Sequence, residues 1–172
     1  MTDIMLLSAS EAQQQIAALS DVLQACVADG ASVGFIDAAD RQTIEQFWHS
    51  RLSALRSGDQ QLLVARQAEQ LVATVMVGYS AMPNGRHRAE ISKLLVHPAA
   101  RRQGIARRLM QQAEALAAQQ GKTLLVLDTR SGDVATDLYL SLGWTIAGSI
   151  PHYAGSVQGE LEATTLMYKR AE

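Results

Sequence analysis

Hydrophobic and polar positions repeat with two different periods along this chain, and the switches between them divide it into strands and helices. Residues 3 to 7 form a short apolar run suited to an edge strand. Ser8-x-x-Glu11 follows as a capping box, in which a hydroxyl and a carboxylate satisfy each other's backbone N–H, and it predicts a helix running to about Asp29, where Gly30 stops it. Ala31-Ser32-Val33-Gly34-Phe35 leads to Asp37 and Asp40, two acidic N-cap candidates for a second helix. That helix carries Ile44, Phe47, Trp48, Leu52 and Leu55 at helical spacing and ends at Ser57-Gly58. Residues 62 to 65 and 71 to 79 are β-rich runs joined by a polar turn, the pattern of an antiparallel hairpin, and Pro83-Asn84-Gly85 marks another turn.

Residues 90 to 96 read as the next strand, which Pro98 prevents from continuing as a regular ladder. From Gly104 the apolar positions Ile105, Leu109, Ala113 and Leu116 predict a helix that ends at Gly121. Residues 123 to 129 hold four consecutive aliphatics, as expected of a strand covered on both faces. Asp133 is placed to cap a helix containing Val134, Leu138 and Leu142, which Gly143 stops before strands near 144 to 150 and 163 to 169. No internal repeat or low-complexity segment interrupts the series. The expectation is one α/β domain spanning residues 1 to 172.

Composition narrows the function classes. The formal net charge is −2, so no global basic field points to a nucleic acid, and any anion site must be local. One cysteine, Cys26, excludes an intrachain disulfide and fits a reducing compartment. No basic, apolar and small-residue series resembles a leader at the start, and no apolar run approaches the roughly 20 residues of a membrane span. A soluble, cytoplasmic protein is expected, without nucleic-acid or membrane partners and with homodimer formation left open. His49, His87, His97 and His152 are too scattered to suggest a metal site. Cys26 lies in a helical pattern with no nearby histidine, which reads as a small buried side chain. No Gly-x-Ser-x-Gly elbow or Gly-x-x-x-x-Gly-Lys-Ser/Thr loop occurs.

The informative unit is the strand, loop and helix from residue 91 to 120. A helix N-terminus offers unpaired N–H donors and partial positive charge, a setting for phosphate. Gly104 removes a side chain where backbone and phosphate approach, Ala106 keeps the first turn small, and Arg101, Arg102 and Arg107 add charge. Arg101-x-x-Gly104-x-Ala106, preceded by Val96-His97-Pro98, resembles the Gln/Arg-x-x-Gly-x-Gly/Ala pattern of the GNAT acetyltransferases. A second signature of that family, Ala-x-x-Leu-Tyr-x-x-x-Gly-aromatic, has its counterpart in Ala135, Leu138, Tyr139, Gly143 and Trp144.

The resemblance implies a GNAT fold, a central mixed, twisted α/β sheet of about seven strands with about four helices. It also implies acetyl-CoA as co-substrate and no metal. The pyrophosphate would lie on Arg101, Arg102, Gln103, Gly104, Ile105, Ala106 and Arg107, and the pantetheine arm would pair with backbone near Leu95 and Val96 between splayed strands. One departure stands out: Gly132 occupies the position, seven residues ahead of the tyrosine, that often holds Asn. Gly30 to Phe35, Pro83-Asn84-Gly85, Arg88-Ala89-Glu90 and Leu127-Asp128-Thr129 together resemble the tabtoxin-resistance type, which would act on an amine of a small amino-acid-like or peptide-like toxin.

Acetyl transfer to an amine requires a neutral nucleophile, a donor for charge on the thioester oxygen and a proton for the departing thiolate. Glu90 and Asp128, on the two strands that the resemblance places beside the cofactor, are the base candidates, and burial of either would suit that task. Tyr139 matches the family tyrosine that protonates the thiolate, and a backbone N–H near Leu95 would meet the oxyanion. Phe35 and Tyr153 are candidate acceptor-lining residues. The alternatives are acetylation of protein N-termini or lysines, and an acyl-CoA-binding module without catalysis.

Overall fold

A computed structural model describes residues 1–171. Seven strands form one sheet: β1 (Thr2–Leu7), β2 (Gln60–Gln67), β3 (Gln70–Tyr79), β4 (Arg88–Val96), β5 (Leu124–Arg130), β6 (Thr145–Gly155) and β7 (Leu161–Arg170). Their spatial order is β1-β2-β3-β4-β5-β7-β6, which leaves β1 at one edge. All neighbours are antiparallel except β4 and β5. A parallel pair needs a long crossover, and the helix α4 (Ile105–Gln119) supplies it.

The capping box forms as its sequence predicts: the Ser8 N–H donates to Glu11 Oε1 at 2.9 Å and the Glu11 N–H to Ser8 Oγ at 3.1 Å. The single helix expected after it is instead two, α1 (Ala9–Gln14) and α2 (Ile16–Ala28), broken at Gln15. The break turns the chain so that α1 packs on α3 (Arg41–Ser57), while α2 packs beside α3 and on the strands β3 and β4. Asp40 caps α3, its carboxylate accepting from the Thr43 N–H at 3.1 Å, whereas Asp37 closes its own turn onto Ala39.

Two apolar cores sandwich the sheet. Leu19, Leu23, Ile44 and Trp48 from α2 and α3 pack with Leu62, Val64 and Leu95 on one face. Leu109, Met110 and Ala113 from α4, joined by Tyr139 of α5 (Val134–Ser141), pack with Val75, Ile91 and Leu127 on the other. β5 departs from its expected cover on both faces: only Leu125 and Leu127 are buried, because α1, α2 and α3 reach no further than β4. β6 extends to Gly155, with a register shift between Ile150 and Ala154. Tyr153 therefore belongs to a bulged edge strand that runs past the expected end near residue 150; Pro151 cannot donate to a ladder and His152 has φ +54.

The geometry that positions the site arises in β4. Its pairing with β5 covers only Arg88–Leu124, Ala89–Leu125 and Glu90–Val126, after which the strands separate. On the other side β4 carries a bulge opposite β3, with a register shift between Thr74 and Met76 and Lys93 at φ +52. A bulge adds an unpaired residue and bends its strand, here away from β5. Thr74, fully buried, secures it by donating its hydroxyl to the Lys93 carbonyl at 2.8 Å.

Candidate active site

Where β4 and β5 part, a cleft of about 730 Å³ passes through the sheet. Residues of both cores line it, Leu127 and Tyr139 from the α4 side and Cys26 and Leu95 from the α2 side, so it joins the two faces of the sheet. The α4 N-terminus borders one end. The first α4 hydrogen bond runs from the Arg108 N–H to the Gly104 carbonyl at 3.2 Å, which leaves the N–H groups of Gly104, Ile105, Ala106 and Arg107 without an intrahelical acceptor. Gly104 has φ +75, a left-handed conformation that adds a backbone reason for glycine to the steric one read from the sequence. A Cβ there would meet nothing within 4 Å, so the space before the helix is open. This combination fits an anionic diphosphate.

The candidate cofactor residues divide by where their side chains point. Leu95, Val96, Arg101, Arg102 and Ala106 line the cleft. Ile105 is a core residue that offers only its backbone, Gln103 accepts a hydrogen bond from Gln67 at 2.6 Å, and Arg107 donates to Ser141 Oγ at 2.8 Å. Arg101 braces the site: it pairs with Asp29 at the end of α2 and its Nε donates to the Val96 carbonyl at 3.3 Å. The same carbonyl accepts from Cys26 Sγ at 3.4 Å. Cys26 is buried, as its pattern predicts, and burial holds its thiol above the ordinary range.

Tyr139 is held by the second signature. Its ring lies 6.2 Å from that of Trp144, whose Nε1 donates to Glu114 of α4 at 3.2 Å, and Lys169 bridges Glu114 to the Leu142 carbonyl at the end of α5. Burial, reinforced by the negative charges of Asp133 and Asp128, pushes the Tyr139 phenol up to about 12, so it stays a hydrogen-bond donor at neutral pH. Asp133 occupies the N-cap position of α5 without a side-chain cap bond, and its carboxylate faces Arg130 at 3.7 Å. Gly132 has φ +81, a conformation that Asn tolerates better than other residues, which gives the two alternatives at this position a shared backbone requirement.

The two candidate bases do not share one environment. Asp128 lines the cleft and accepts from Thr164 Oγ1 at 3.1 Å. Glu90 opens on a second, polar cleft of about 700 Å³ beneath α3. Ser92 lines both, so the clefts adjoin there. Both carboxylates are exposed, a correction to the burial their role suggested: Asp128 lies beyond β4, where no helix packs on this face, and Glu90 opens into the cleft beneath α3. Tyr153 lines the cleft, but Phe35 does not; it packs on Phe47 of α3, rings 5.6 Å apart at 84°.

Two side chains at the site, Arg130 and Lys93, escape the sequence reading. Arg130 donates to the Gly30 carbonyl at 2.9 Å and sits 3.6 Å from Glu162, fastening the loop after α2 over the end of β5. Lys93 enters through the bulge, whose only sequence signal is the Ser92-Lys93 doublet that breaks strand alternation. Among the described residues, no group of three His, Cys, Asp or Glu side chains is placed to hold a metal, and no helix is long and apolar enough to cross a membrane.

The parted strands and the free N–H groups at the start of α4 leave an open cleft with room for an extended, anionic ligand. The chain belongs to the GNAT acetyltransferase family, whose profile matches residues 20–144. As a member it is an acetyl-CoA-dependent N-acetyltransferase. Its fold is similar to that of the ribosomal-protein-alanine N-acetyltransferase of Brucella melitensis, with 22% identity, 98% of this chain and 99% of that chain covered, and a TM-score of 0.80. The yncA protein of Salmonella typhimurium, solved with its cofactor acetyl-CoA, matches at 20% identity over 100% of this chain and 95% of that one, with a TM-score of 0.79. A proposed phosphinothricin N-acetyltransferase matches at 17% identity over 100% of both chains, with a TM-score of 0.80.

Proposed function

We propose that this enzyme moves the acetyl group of acetyl-CoA to a primary amine of a small amino-acid-like or peptide-like molecule, with direct transfer while both are bound. The observation that carries this reading is one cleft through the sheet, with a protonated tyrosine on one face and a carboxylate on the other. Acetyl-CoA, when bound, supplies an activated thioester. In this reading the free N–H groups of residues 104 to 107, with Arg102 beside them, hold the diphosphate, and backbone near Leu95 and Val96 aligns the pantetheine arm. Asp128, on the acceptor side, takes the ammonium proton so that a neutral amine attacks. Glu90 serves the same proton through water across the junction at Ser92. A backbone N–H near Leu95 meets the developing oxyanion, and Tyr139 returns a proton to the departing thiolate.

The fold itself does not choose the acceptor, since proteins of this shape are named for ribosomal-protein alanine and for phosphinothricin. Resistance to a toxin of the tabtoxin type is the role that the sequence resemblance favours. Release of free coenzyme A, followed across amino acids, dipeptides, polyamines, amine antibiotics and protein N-terminal peptides, tests the reading. Turnover of a free amino acid or dipeptide is expected, and turnover confined to protein substrates would overturn the small-acceptor assignment.

A further inference from the structure

Lys93 is the residue on the acceptor side that the catalytic scheme leaves unused. Its backbone is left-handed, φ +52, which a non-glycine residue adopts at some cost and which is fixed here by the bulge and the Thr74 hydroxyl. Its side chain lines the cleft. The ammonium takes part in none of the ion pairs among the described residues, although Asp128 and Glu90 are near enough for their charges to act on it. It rests instead on the Phe47 ring, 5.0 Å from the centroid. Arg51, also in none of those ion pairs, lies over the same ring at 5.4 Å. Two cations thus share one aromatic ring where the two clefts adjoin, and neither has a contact carboxylate.

Like charges held together in a half-buried setting repel unless an anion joins them. A ring face attracts a cation without consuming the charge as a carboxylate would, so it holds Lys93 in place and leaves the ammonium competent to bind an anion. Asp128, with no such cation in contact, presents the opposite charge on the neighbouring strand. The chamber therefore carries separated positive and negative poles, the complement of a zwitterion.

We propose that Lys93, backed by Arg51 on Phe47, forms a carboxylate subsite that holds the acid end of the acceptor while Asp128 faces its amine. The inference rests on the small-acceptor reading above and narrows it to amines that also carry a carboxylate.

The test uses amino acids with increasing separation between amine and carboxylate, each matched with its amide and its decarboxylated amine, and acetyl-CoA as donor. For at least one spacing, the wild-type kcat/KM for the acid exceeds that for the amide by about tenfold or more, the value of one charge-assisted contact. Lys93→Met, which keeps the stem and removes the charge, brings that ratio close to one, whereas Lys93→Arg retains most of it. Near-ultraviolet circular dichroism of both variants separates a lost subsite from a lost fold. Amides used as well as acids by the wild type, or a ratio that survives in folded Lys93→Met, overturn the subsite and leave the acetyltransferase reading standing. A wild type that binds acetyl-CoA but acetylates no member of the panel overturns both.

Discussion

Tyr139 and Asp128 reach one cleft from opposite faces of the sheet: Tyr139 at 7% exposure among the α4-side core, and Asp128 on the uncovered face under a hydrogen bond from Thr164. In the proposed mechanism their separation across the sheet keeps a proton acceptor on the amine side and a proton donor on the thiolate side. The splay of β4 from β5 after Glu90–Val126 is what opens one cleft to both side chains.

This division predicts unequal carboxylates. Asp128→Asn is expected to lower kcat/KM at neutral pH by about 10²- to 10⁴-fold, the usual reach of general base catalysis, and by less at high pH, where the acceptor amine is already neutral. Glu90→Gln, acting from the adjoining cleft, is expected to have the smaller effect. Paired pH–rate profiles under saturating acetyl-CoA decide this, and wild-type profiles from both variants would exclude both groups as the base.

At the other end of the cleft, Gly104→Glu should reduce acetyl-CoA affinity sharply, because it places a like charge at the free N–H groups that the proposal assigns to the diphosphate. The open space around the missing Cβ means the fold survives, at a cost of about 1–2 kcal/mol for a left-handed non-glycine residue. Calorimetric titration of the folded variant measures the loss, and unchanged affinity would detach this loop from the cofactor.

Local chemistry was well encoded in the chain, and long-range placement much less so. The capping box at Ser8 and the Gly104 helix start depend on neighbours a few residues away, so spacing reveals them, and the Ala135-to-Trp144 series is legible through its resemblance to a family signature. Arg130 is invisible by that route because its partner, Gly30, lies a hundred residues earlier in the chain. Glu90 and Asp128 looked alike as strand carboxylates, and only the cover of the sheet assigns them to different clefts. Lys93 left a faint trace as a broken alternation, but its position on Phe47 depends on how α3 packs.

Arg130 should behave as a positioning residue. Removing it by Arg130→Ala frees the Gly30 carbonyl and leaves Asp133 and Glu162 facing each other without their shared cation. The loop of residues 30 to 35 should exchange its amide hydrogens faster, and the acceptor KM should rise several-fold with a smaller change in kcat. A modest stability loss of about 1 kcal/mol is expected for one such bond. Unaltered exchange in that loop would show that Arg130 does not hold it.

The last expectation concerns the Tyr139 proton. Phenylalanine keeps the ring against Trp144 and removes only the hydroxyl, so Tyr139→Phe should lower kcat by about 10²- to 10⁴-fold with acetyl-CoA affinity nearly intact. The raised phenol separates chemistry from stability by pH. An ordinary tyrosine ionises near 10 and this one near 12, so the unfolded chain loses the proton first as pH rises. The folded state therefore keeps the full contribution of the neutral phenol below pH 10 and loses it between about 10 and 12. Tyr139→Phe should show a weaker alkaline loss of stability across that window, Tyr79, also near 12, accounting for part of what remains. Below pH 10 the catalytic defect should be present while the stability difference between the two proteins does not change with pH through this group. A donor whose leaving thiol has a lower pKa needs less protonation and should narrow the defect in single-turnover experiments. A transfer step as fast as wild type with either donor would make Tyr139 a packing residue and return the proton to solvent.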